Sequence, residues 1–408
     1  MHNKIFKNKK ILLGITGCIA AYKAAFLTRE FVKLGAEVKI VMTSSAIEFI
    51  SPLTLSTLSG NPVIINTFPP SKKENTGLGT WHIDTALWAD IMIVAPCTIN
   101  TVAKIAHGFA DNALTTLLTA LRSPLLIAPA ADVDMYQNKI VQKNIQSLKD
   151  FGINVIEAEE GELASGLTGQ GRLADINKII DSAALVLKGF NRDLENKNIL
   201  ITAGPTYEDI DPVRFIGNRS SGKMGYWLAK AAYLRGANVT LISGPTSETI
   251  YPEIKLLTIR SASELEKVVK QNLKNNDVLI MSAAVADYSP AKKANNKIKK
   301  ENKLQPIQLR VNNDILASLD KNGKFIVGFA LETENGLINA KKKLTNKNLD
   351  MIVLNVLKAK QISFESDTNK VIILNKSGDK KDFPLQSKFL VANNILTEII
   401  KNNPLANG

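Results

Sequence analysis

Three histidines, His2, His82 and His107, supply the imidazoles of this chain. Imidazole is the side chain whose ordinary pKa brings a general base into the neutral range. His82 stands in TWHIDTALWAD, just ahead of a helix pattern; taken alone it reads equally as a structural residue or as a catalytic base. His107 precedes Gly108 and reads as a surface or capping residue, and His2 lies in the basic stretch MHNKIFKNKK. Gly14 and Gly17 in GITGCIAAYK form a turn that can bring backbone N–H groups against a phosphate, although many α/β folds use such glycines for packing alone. Thr43, Ser44 and Ser45 in VMTSSAIEFI, and Thr98, Asn100 and Thr101 in APCTINTVAK, place small polar groups at the ends of two apolar runs. The G-x-G-x-x-G fingerprint is absent, and no acidic residue ends the second run, so a mononucleotide such as FMN fits better than NAD. In the second half, GNRSSGKM (217–224) nearly spells a P-loop but offers Met224 where a magnesium-binding hydroxyl belongs. It reads instead as a polar loop, Asn218, Arg219, Ser220 and Ser221, entering a helix near Lys223.

These residues need a scaffold, and the apolar runs supply one. Strands are expected at Lys10–Gly14, Val38–Met42, Ile91–Ala95, Leu125–Ala128 and Val155–Glu157, with helical patterns between them. A second series follows at Ile199–Thr202, Asn238–Ile242, Val278–Ser282, Phe325–Ala330 and Met351–Asn355, then a hairpin near Val371–Leu374 and Phe383–Pro384. Alternation of strand and helix predicts parallel sheets covered on both faces. The fold class is therefore α/β, with two doubly wound, Rossmann-like domains, the first flavodoxin-like. The polar stretch GFNRDLENKN (189–198) divides residues 1–189 from 190–408. The chain has 408 residues, 45% of them hydrophobic, enough for two cores. No window reaches the roughly 18 apolar residues of a membrane span, and the basic N-terminus reads as a short tail rather than a signal peptide. Two cysteines, Cys18 and Cys97, make no disulfide framework, which suits a reducing cytoplasm. The net charge of +13 raises nucleic-acid binding, but the lysines are scattered and read as a solvated surface. The exception is AKKANNKIKKENK (291–303), a solvated loop or a loop that clamps a polyphosphate.

GITGCIAAYK, VMTSSAIEFI, HIDTALWAD, APCTINTVAK and PAADVDMY, in that order, resemble the motifs of the flavin-dependent phosphopantothenoylcysteine decarboxylases over most of residues 6–188. The resemblance implies FMN held by Gly17, Cys18, Thr43, Ser44, Thr98, Asn100, Thr101 and Ala131. It implies oxidation of the cysteine moiety to a thioaldehyde, loss of CO2 with sulfur as electron sink, and return of the hydride. It casts His82 as the base and implies trimers that build the site between protomers. Three departures matter. Asp132 stands where the family usually has an asparagine that meets the substrate carboxylate, and two carboxylates repel unless one is protonated or offset. Ser165, in GELASGLTGQGRLAD, takes the place of a proton-donating cysteine. Cys18 replaces glycine or serine, as a small filler or a redox-sensitive thiol.

ITAGPTYEDIDPVRFIGNRSSGKMG, MSAAVADYSPAKKANNKIKK, VGFALET and KKKLTNKNLDMIVLN resemble phosphopantothenate–cysteine ligase over nearly all of 197–400. The resemblance implies CTP and Mg2+ as co-substrates, carboxylate attack on the α-phosphate to give an acyl-cytidylate, and displacement of CMP by the cysteine amine. It casts Asn218 as holding the acyl-cytidylate, Lys297 on a mobile loop over the triphosphate, and Asp287 beside the metal or nucleotide. It casts Phe329 against the base, with Ala283, Asn313, Asp314, Ile315, Leu316, Lys343 and Lys347 around the nucleotide. An anion attacking an anion needs positive charge, which Mg2+ and Lys297, Lys343 and Lys347 can supply; each lysine alone also reads as a solvated charge. Asn313 replaces a proline and loosens the turn. The substrates implied are 4′-phosphopantothenate, cysteine and CTP, without nucleic acid or membrane. The assembly implied joins trimers of the first domain and dimers of the second, a dodecamer being one way to combine them. A non-enzymatic flavoprotein and a decarboxylase of another thiol peptide are the rivals.

Overall fold

The computed structural model describes residues 2–68, 80–299, 306–332, 335–356 and 366–403. The chain forms two compact units, His2–Asn191 and a second from Arg192 onward.

The first unit opens with a helical turn, α1 (Asn3–Phe6), then runs β1 (Lys10–Ile15), α2 (Lys23–Lys33), β2 (Glu37–Met42), α3 (Pro52–Ser59), β3 (Val63–Ile64), α4 (Trp81–Trp88), β4 (Ile91–Cys97), α5 (Ile99–Ala106), α6 (Ala113–Thr119), β5 (Leu125–Pro129), α7 (Val133–Gln137), α8 (Lys139–Asp150) and β6 (Asn154–Val155). A hairpin, β7 (Glu159–Glu162) and β8 (Thr168–Arg172), precedes α9 (Ile176–Leu187). The six-stranded sheet has the order β3-β2-β1-β4-β5-β6, with every pairing parallel. This is the doubly wound arrangement expected; its 3-2-1-4-5-6 order differs from the 2-1-3-4-5 order of flavodoxin. Strands buried on both faces read as continuous apolar runs, which is why all seven residues of β4 are buried.

Two readings of this half need correcting. The last strand ends at Val155, not Glu157, because the Glu157 carboxylate is turned to the Tyr136 hydroxyl at 2.8 Å. The N-terminal residues are not a free tail: His2 is buried with Nε2 2.6 Å from Asp181 Oδ1, and Phe6 is fully buried with its ring centroid 5.3 Å from that of Phe31.

The second unit runs β9 (Asn198–Ala203), a hairpin of β10 (Tyr207–Asp209) and β11 (Phe215–Gly217), α10 (Lys223–Leu234), β12 (Asn238–Ser243), β13 (Lys255–Thr258), α11 (Ala262–Leu273) and β14 (Val278–Met281). A second hairpin, β15 (Tyr288–Pro290) and β16 (Leu309–Val311), precedes β17 (Phe325–Glu332), α12 (Gly336–Asn346), β18 (Met351–Val356), β19 (Thr368–Asn375), β20 (Lys380–Ser387) and α13 (Lys388–Asn402). The eight-stranded sheet is ordered β13-β12-β9-β14-β17-β18-β19-β20, parallel as far as β18, with β19 and β20 antiparallel. Helices α11 and α12 pack on one face through Leu265, Val269, Ala340 and Leu344 against Leu200, Leu279, Ile326 and Ile352. Strand side chains alternate, so Ile199, Ile201, Ile280 and Val327, also buried, serve the opposite face, where α10 and α13 pack together.

Candidate functional sites

In the first unit the strand register brings four chain crossings to one edge, because Ile15 pairs with Met42, Gly14 with Val94 and Cys97 with Pro129. Ligands of open α/β sheets bind beyond this carboxyl edge. After β1, Gly17 passes so close to the loop after β2 that a Cβ there would lie 2.5 Å from Ser45 Cβ and 2.6 Å from its carbonyl carbon. Thr43, just after β2, has a buried hydroxyl without a partner, and Ser44 is exposed. After β4, Thr98 caps α5: its Oγ1 accepts from the Thr101 N–H at 3.4 Å, and its own N–H donates to Thr16 Oγ1 at 2.8 Å. Asn100 is exposed in the first turn of α5, whereas the Thr101 hydroxyl is buried and spent on Thr98. After β5, the Ala131 N–H donates to the Gly171 carbonyl at 3.0 Å, tying this loop to β8. Asp132 is the N-cap residue of α7 but makes no side-chain cap bond.

Cys18 sits at the first turn, its thiol pKa pushed up by burial against the opposing pull of the Ala20 and Ala21 N–H groups. That environment suits a filler better than a reactive thiolate. His82 lies within the first turn of α4 rather than ahead of the helix, half-buried and edge-on to Trp81. His107 is exposed at the C-cap of α5. Ser165 is exposed near the tip of the β7–β8 hairpin, where its Oγ accepts weakly from the Leu167 N–H at 3.4 Å. Asp132 lies at the base of the same hairpin, and no contact joins the two side chains. A turn with no room for a Cβ, a buried hydroxyl without a partner and a capped helix N-terminus fit a flavin mononucleotide.

In the second unit a cleft of about 730 Å3 opens at the same edge of the sheet. Its lining includes Asn218, Ala283, Asp287 and Phe329, and also the run Asn313–Leu316 with Lys343 and Lys347. Asn218 donates from Nδ2 to the Val285 carbonyl at 2.7 Å, joining the β11–α10 loop to the segment after β14. Phe329 is half-buried on β17, with its ring on the cleft wall. Lys347 pairs with Asp314 at 2.9 Å and Lys343 with Glu332 at 3.0 Å. Burial tends to raise the pKa of both carboxyls, but it is outweighed at Asp314 by the Lys347 bond and the Ala317 N–H, and at Glu332 by the Asn339 amide and then Lys343, so both lie below their ordinary values. Asn313 does not leave its turn loose, because its Nδ2 donates to Glu266 Oε2 on α11 at 3.2 Å. The Ile315 side chain is core, 4% exposed.

Lys297 does not line this cleft; it is exposed. Its loop is fastened to the other side, with Lys293 Nζ on Asp209 Oδ2 at 2.7 Å and the Arg214 guanidinium donating to the Ile298 carbonyl at 2.8 Å. Residues 300–303 of that basic segment lie outside the described residues, as does Thr333 of VGFALET. The helix after GNRSSG begins at Lys223, as the sequence implies, but the preceding strand belongs to a two-stranded hairpin, which is not a P-loop context. Sequence reasoning missed Lys388, the first residue of α13, and Asn355 on β18, both of which line the cleft.

Residues 2–187 match the family described as "Flavoprotein", and residues 194–402 match "DNA/pantothenate metabolism flavoprotein C-terminal domain". The chain is 44% identical over 402 residues, 97% of each chain, to "Coenzyme A biosynthesis bifunctional protein CoaBC" of Bacillus subtilis (strain 168). The chain belongs to that family. It is thus a bifunctional enzyme of coenzyme A biosynthesis, a carboxy-lyase and a ligase in one polypeptide, with an FMN flavoprotein as its first half. The chain is also 43% identical over 362 residues, 86% of this chain and 99% of the other, to a "Cysteine/Cysteine sulfinic acid decarboxylase" of an unknown prokaryotic organism. The solved C-terminal domain of a CoaBC protein is 40% identical, covering 53% of this chain and 100% of its own, with a TM-score of 0.46. Among the described residues, no helix is long and apolar enough to cross a membrane, and no group of three or more His, Cys, Asp and Glu side chains is arranged to hold a metal ion.

Proposed function

We propose that the second unit joins 4′-phosphopantothenate to cysteine at the expense of CTP and that the first unit then decarboxylates the product to 4′-phosphopantetheine. The cleft carries this reading: one space collects an amide, a carboxylate, an aromatic ring and lysines. The substrate carboxylate attacks the α-phosphate of CTP, the bond to pyrophosphate breaks, and an acyl-cytidylate forms. The cysteine amine then attacks the acyl carbon and CMP leaves. Asn218 holds the acyl-cytidylate, and Phe329 borders the base. Lys343 and Lys347 leave Glu332 and Asp314 in part to meet the nucleotide. Asp287 is exposed on the cleft wall, and one carboxylate together with substrate phosphates is a usual Mg2+ arrangement. Lys297 reaches the triphosphate when its loop swings over the cleft.

In the first unit FMN supplies the two-electron acceptor and donor that cysteine oxidation and return require. Gly17, Thr43, Ser44, Thr98, Asn100 and Ala131 line its place, and His82 moves the substrate proton at an imidazole nitrogen. Exposed Ile19, Tyr22 and Phe26, at 61%, 51% and 58% exposure beside the Gly17 turn, support a trimer that completes this site. Val213 and Val311, at 61% and 75% exposure, support a dimer of the second unit. The working compartment is the cytoplasm. The test is whether purified protein is yellow, releases pyrophosphate from CTP only with 4′-phosphopantothenate and cysteine, and then releases CO2. Release of CO2 from free cysteine instead would favour the activity named for the second relative.

A further inference from the structure

In the first unit, the turn that carries Asp132 and the hairpin that carries Ser165 meet at one buried hydroxyl. Tyr136 stands one turn beyond Asp132 on α7, its N–H donating to the Asp132 carbonyl at 2.8 Å, and is 1% exposed. Its phenol donates to Glu157 Oε2 at 2.8 Å and accepts from the Ala158 N–H at 3.3 Å. Ala158 is the buried residue before β7, and its carbonyl accepts from Gln170 Nε2 on β8 at 3.1 Å. Both backbone groups of Ala158 are thus engaged, one by the turn and one by the hairpin. Glu157 is held in turn by Lys149 Nζ of α8. β8 presses on the same turn: a Cβ on Gly171 would collide with the Ala131 carbonyl, and one on Gly169 would lie 2.6 Å from Val133 Cγ2. The ring of Tyr136 belongs to the same buried cluster as Ile145, Leu148 and Val155, which a phenylalanine would serve equally well. The hydroxyl is therefore not there for packing, and burying it is costly unless it is bonded. Burial, then the Glu157 charge, pushes its pKa well up, so it remains a donor throughout the working pH range.

We propose that Tyr136 is a positioning residue of the decarboxylation: its hydroxyl fixes the Asp132 turn against the root of the β7–β8 hairpin, so that both meet the substrate in one pre-set arrangement. The proposal rests on the reading that the first unit decarboxylates phosphopantothenoylcysteine between that turn and that hairpin. Tyr136 touches no reacting atom. It spares the substrate the ordering of two segments, and such ordering is drawn from binding free energy. Without the hydroxyl the Ala158 N–H loses its partner, and the turn and the hairpin keep only the bond from the Ala131 N–H to the Gly171 carbonyl and the two glycine contacts. The loss falls on KM rather than on kcat, because what is lost is order before the chemistry and not a group that acts in it.

The experiment is steady-state CO2 release from phosphopantothenoylcysteine by the full chain, with flavin absorbance and melting temperature, for the parent, Tyr136→Phe, Glu157→Leu, Glu157→Gln and Ile145→Val. Release by the parent tests the decarboxylase reading by itself; a parent without it overturns that reading and the proposal with it. A hydrogen bond to a charged group is worth about 10- to 100-fold in an equilibrium. Acting through the turn, the hydroxyl should count at the low end: a rise of about 10-fold in KM for Tyr136→Phe, with kcat little changed and flavin content at the parent's level. Glu157→Leu removes the acceptor and should match it. Glu157→Gln still offers the phenol an amide oxygen and should recover most of the affinity, although it loses the Lys149 ion pair. Ile145→Val thins the same core without touching the bridge, so it should lower the melting temperature and leave KM alone. A parent-like KM in Tyr136→Phe, or a rise that Ile145→Val shares, overturns the proposal. Should Tyr136→Phe not fold, the two Glu157 variants decide, and equal KM values in Glu157→Leu and Glu157→Gln overturn it.

Discussion

At the carboxyl edge of the first sheet the polar groups are mainly hydroxyls and backbone N–H groups; the cleft at the same edge of the second adds four lysines to an amide, a carboxylate and an aromatic ring. The two sheets share the order 3-2-1-4-5-6 when the small hairpins are left out, the second adding β19 and β20 beyond it. Topology therefore fixes where each site lies, and residues at the helix starts fix what it can hold. The contrast is sharpest between two lysines that each begin a helix. Lys23, on α2, is half-buried; burial lowers its pKa most, with Arg172 adding to this, but Glu159 and Asp175 pull it back. Lys388 begins α13, where burial and the Lys223 charge pull its pKa down to about 8 against the opposing pull of Asp367 and Glu248. Both corners hold carboxylates that pull the lysine back, and the second sets two lysines, Lys223 and Lys388, side by side.

The largest separation of the two halves should come from His82→Asn. It should leave the protein yellow and pyrophosphate release unchanged, while CO2 release from phosphopantothenoylcysteine falls by about 10²- to 10⁴-fold, the usual worth of a general base. A parallel fall in pyrophosphate release would show that the halves are not independent. The reverse test is Lys297→Gln, expected to slow activation of the acid by about 10²-fold, the scale of one lost transition-state charge contact, with decarboxylation untouched. Since the Lys297 loop is tied to Asp209 and Arg214 through Lys293 and Ile298, unchanged pyrophosphate release would mean that the loop stays where it is. Asn218→Asp should still release pyrophosphate but form less product, and equal loss of both would remove its assigned role.

The parallel strands were legible because strands covered on both faces must be apolar throughout; β1, β2, β4, β5, β9, β12 and β17 extend the expected runs by only a residue or two at an end. The carboxyl-edge residues followed from them, since a strand's end locates its ligand-facing loop. What stayed hidden depends on partners distant in sequence. His2 looked like part of a tail because its partner, Asp181, is 179 residues away. Lys388 looked like one more lysine in a basic chain, and only the packing of α10 on α13 distinguishes it. The ion pairing of Lys343 and Lys347 was equally unreadable, because Glu332 and Asp314 become their neighbours through β17 and the β16–β17 connection.

A paired glycine substitution should break the two edges one at a time. In Gly17→Ala the new methyl meets Ser45 backbone; in Gly225→Ala it lies 2.5 Å from Ala203 Cβ and 2.7 Å from Ser282 Oγ. Overpacking of this kind costs about 1–3 kcal/mol. Gly17→Ala should lower flavin absorbance per protein and spare pyrophosphate release, and Gly225→Ala should do the opposite. Equal flavin content in Gly17→Ala and the parent would remove the close approach from the list of features that hold FMN.

The smallest effect concerns the proton returned at the end of decarboxylation. A serine hydroxyl is a far weaker acid than a thiol with its pKa of about 8.5, and Ser165 is exposed near a hairpin tip, with only a long bond from Leu167. Asp132 stands at the other end of that hairpin, free of the capping bond its N-cap position invites. A carboxyl group brought against the substrate carboxylate is favoured in its protonated form, since like charges cannot both ionise cheaply. On that reading Asp132 would be the donor, and its change and that of Ser165 would be one compensated pair. Asp132→Asn alone should accumulate the oxidised or enethiol product, seen by its ultraviolet absorbance, while Ser165→Cys in the Asp132→Asn background should restore turnover to within several-fold of the parent. Parent-rate formation of 4′-phosphopantetheine by Asp132→Asn alone would show that Asp132 is not the donor and that the two changes are not a compensated pair.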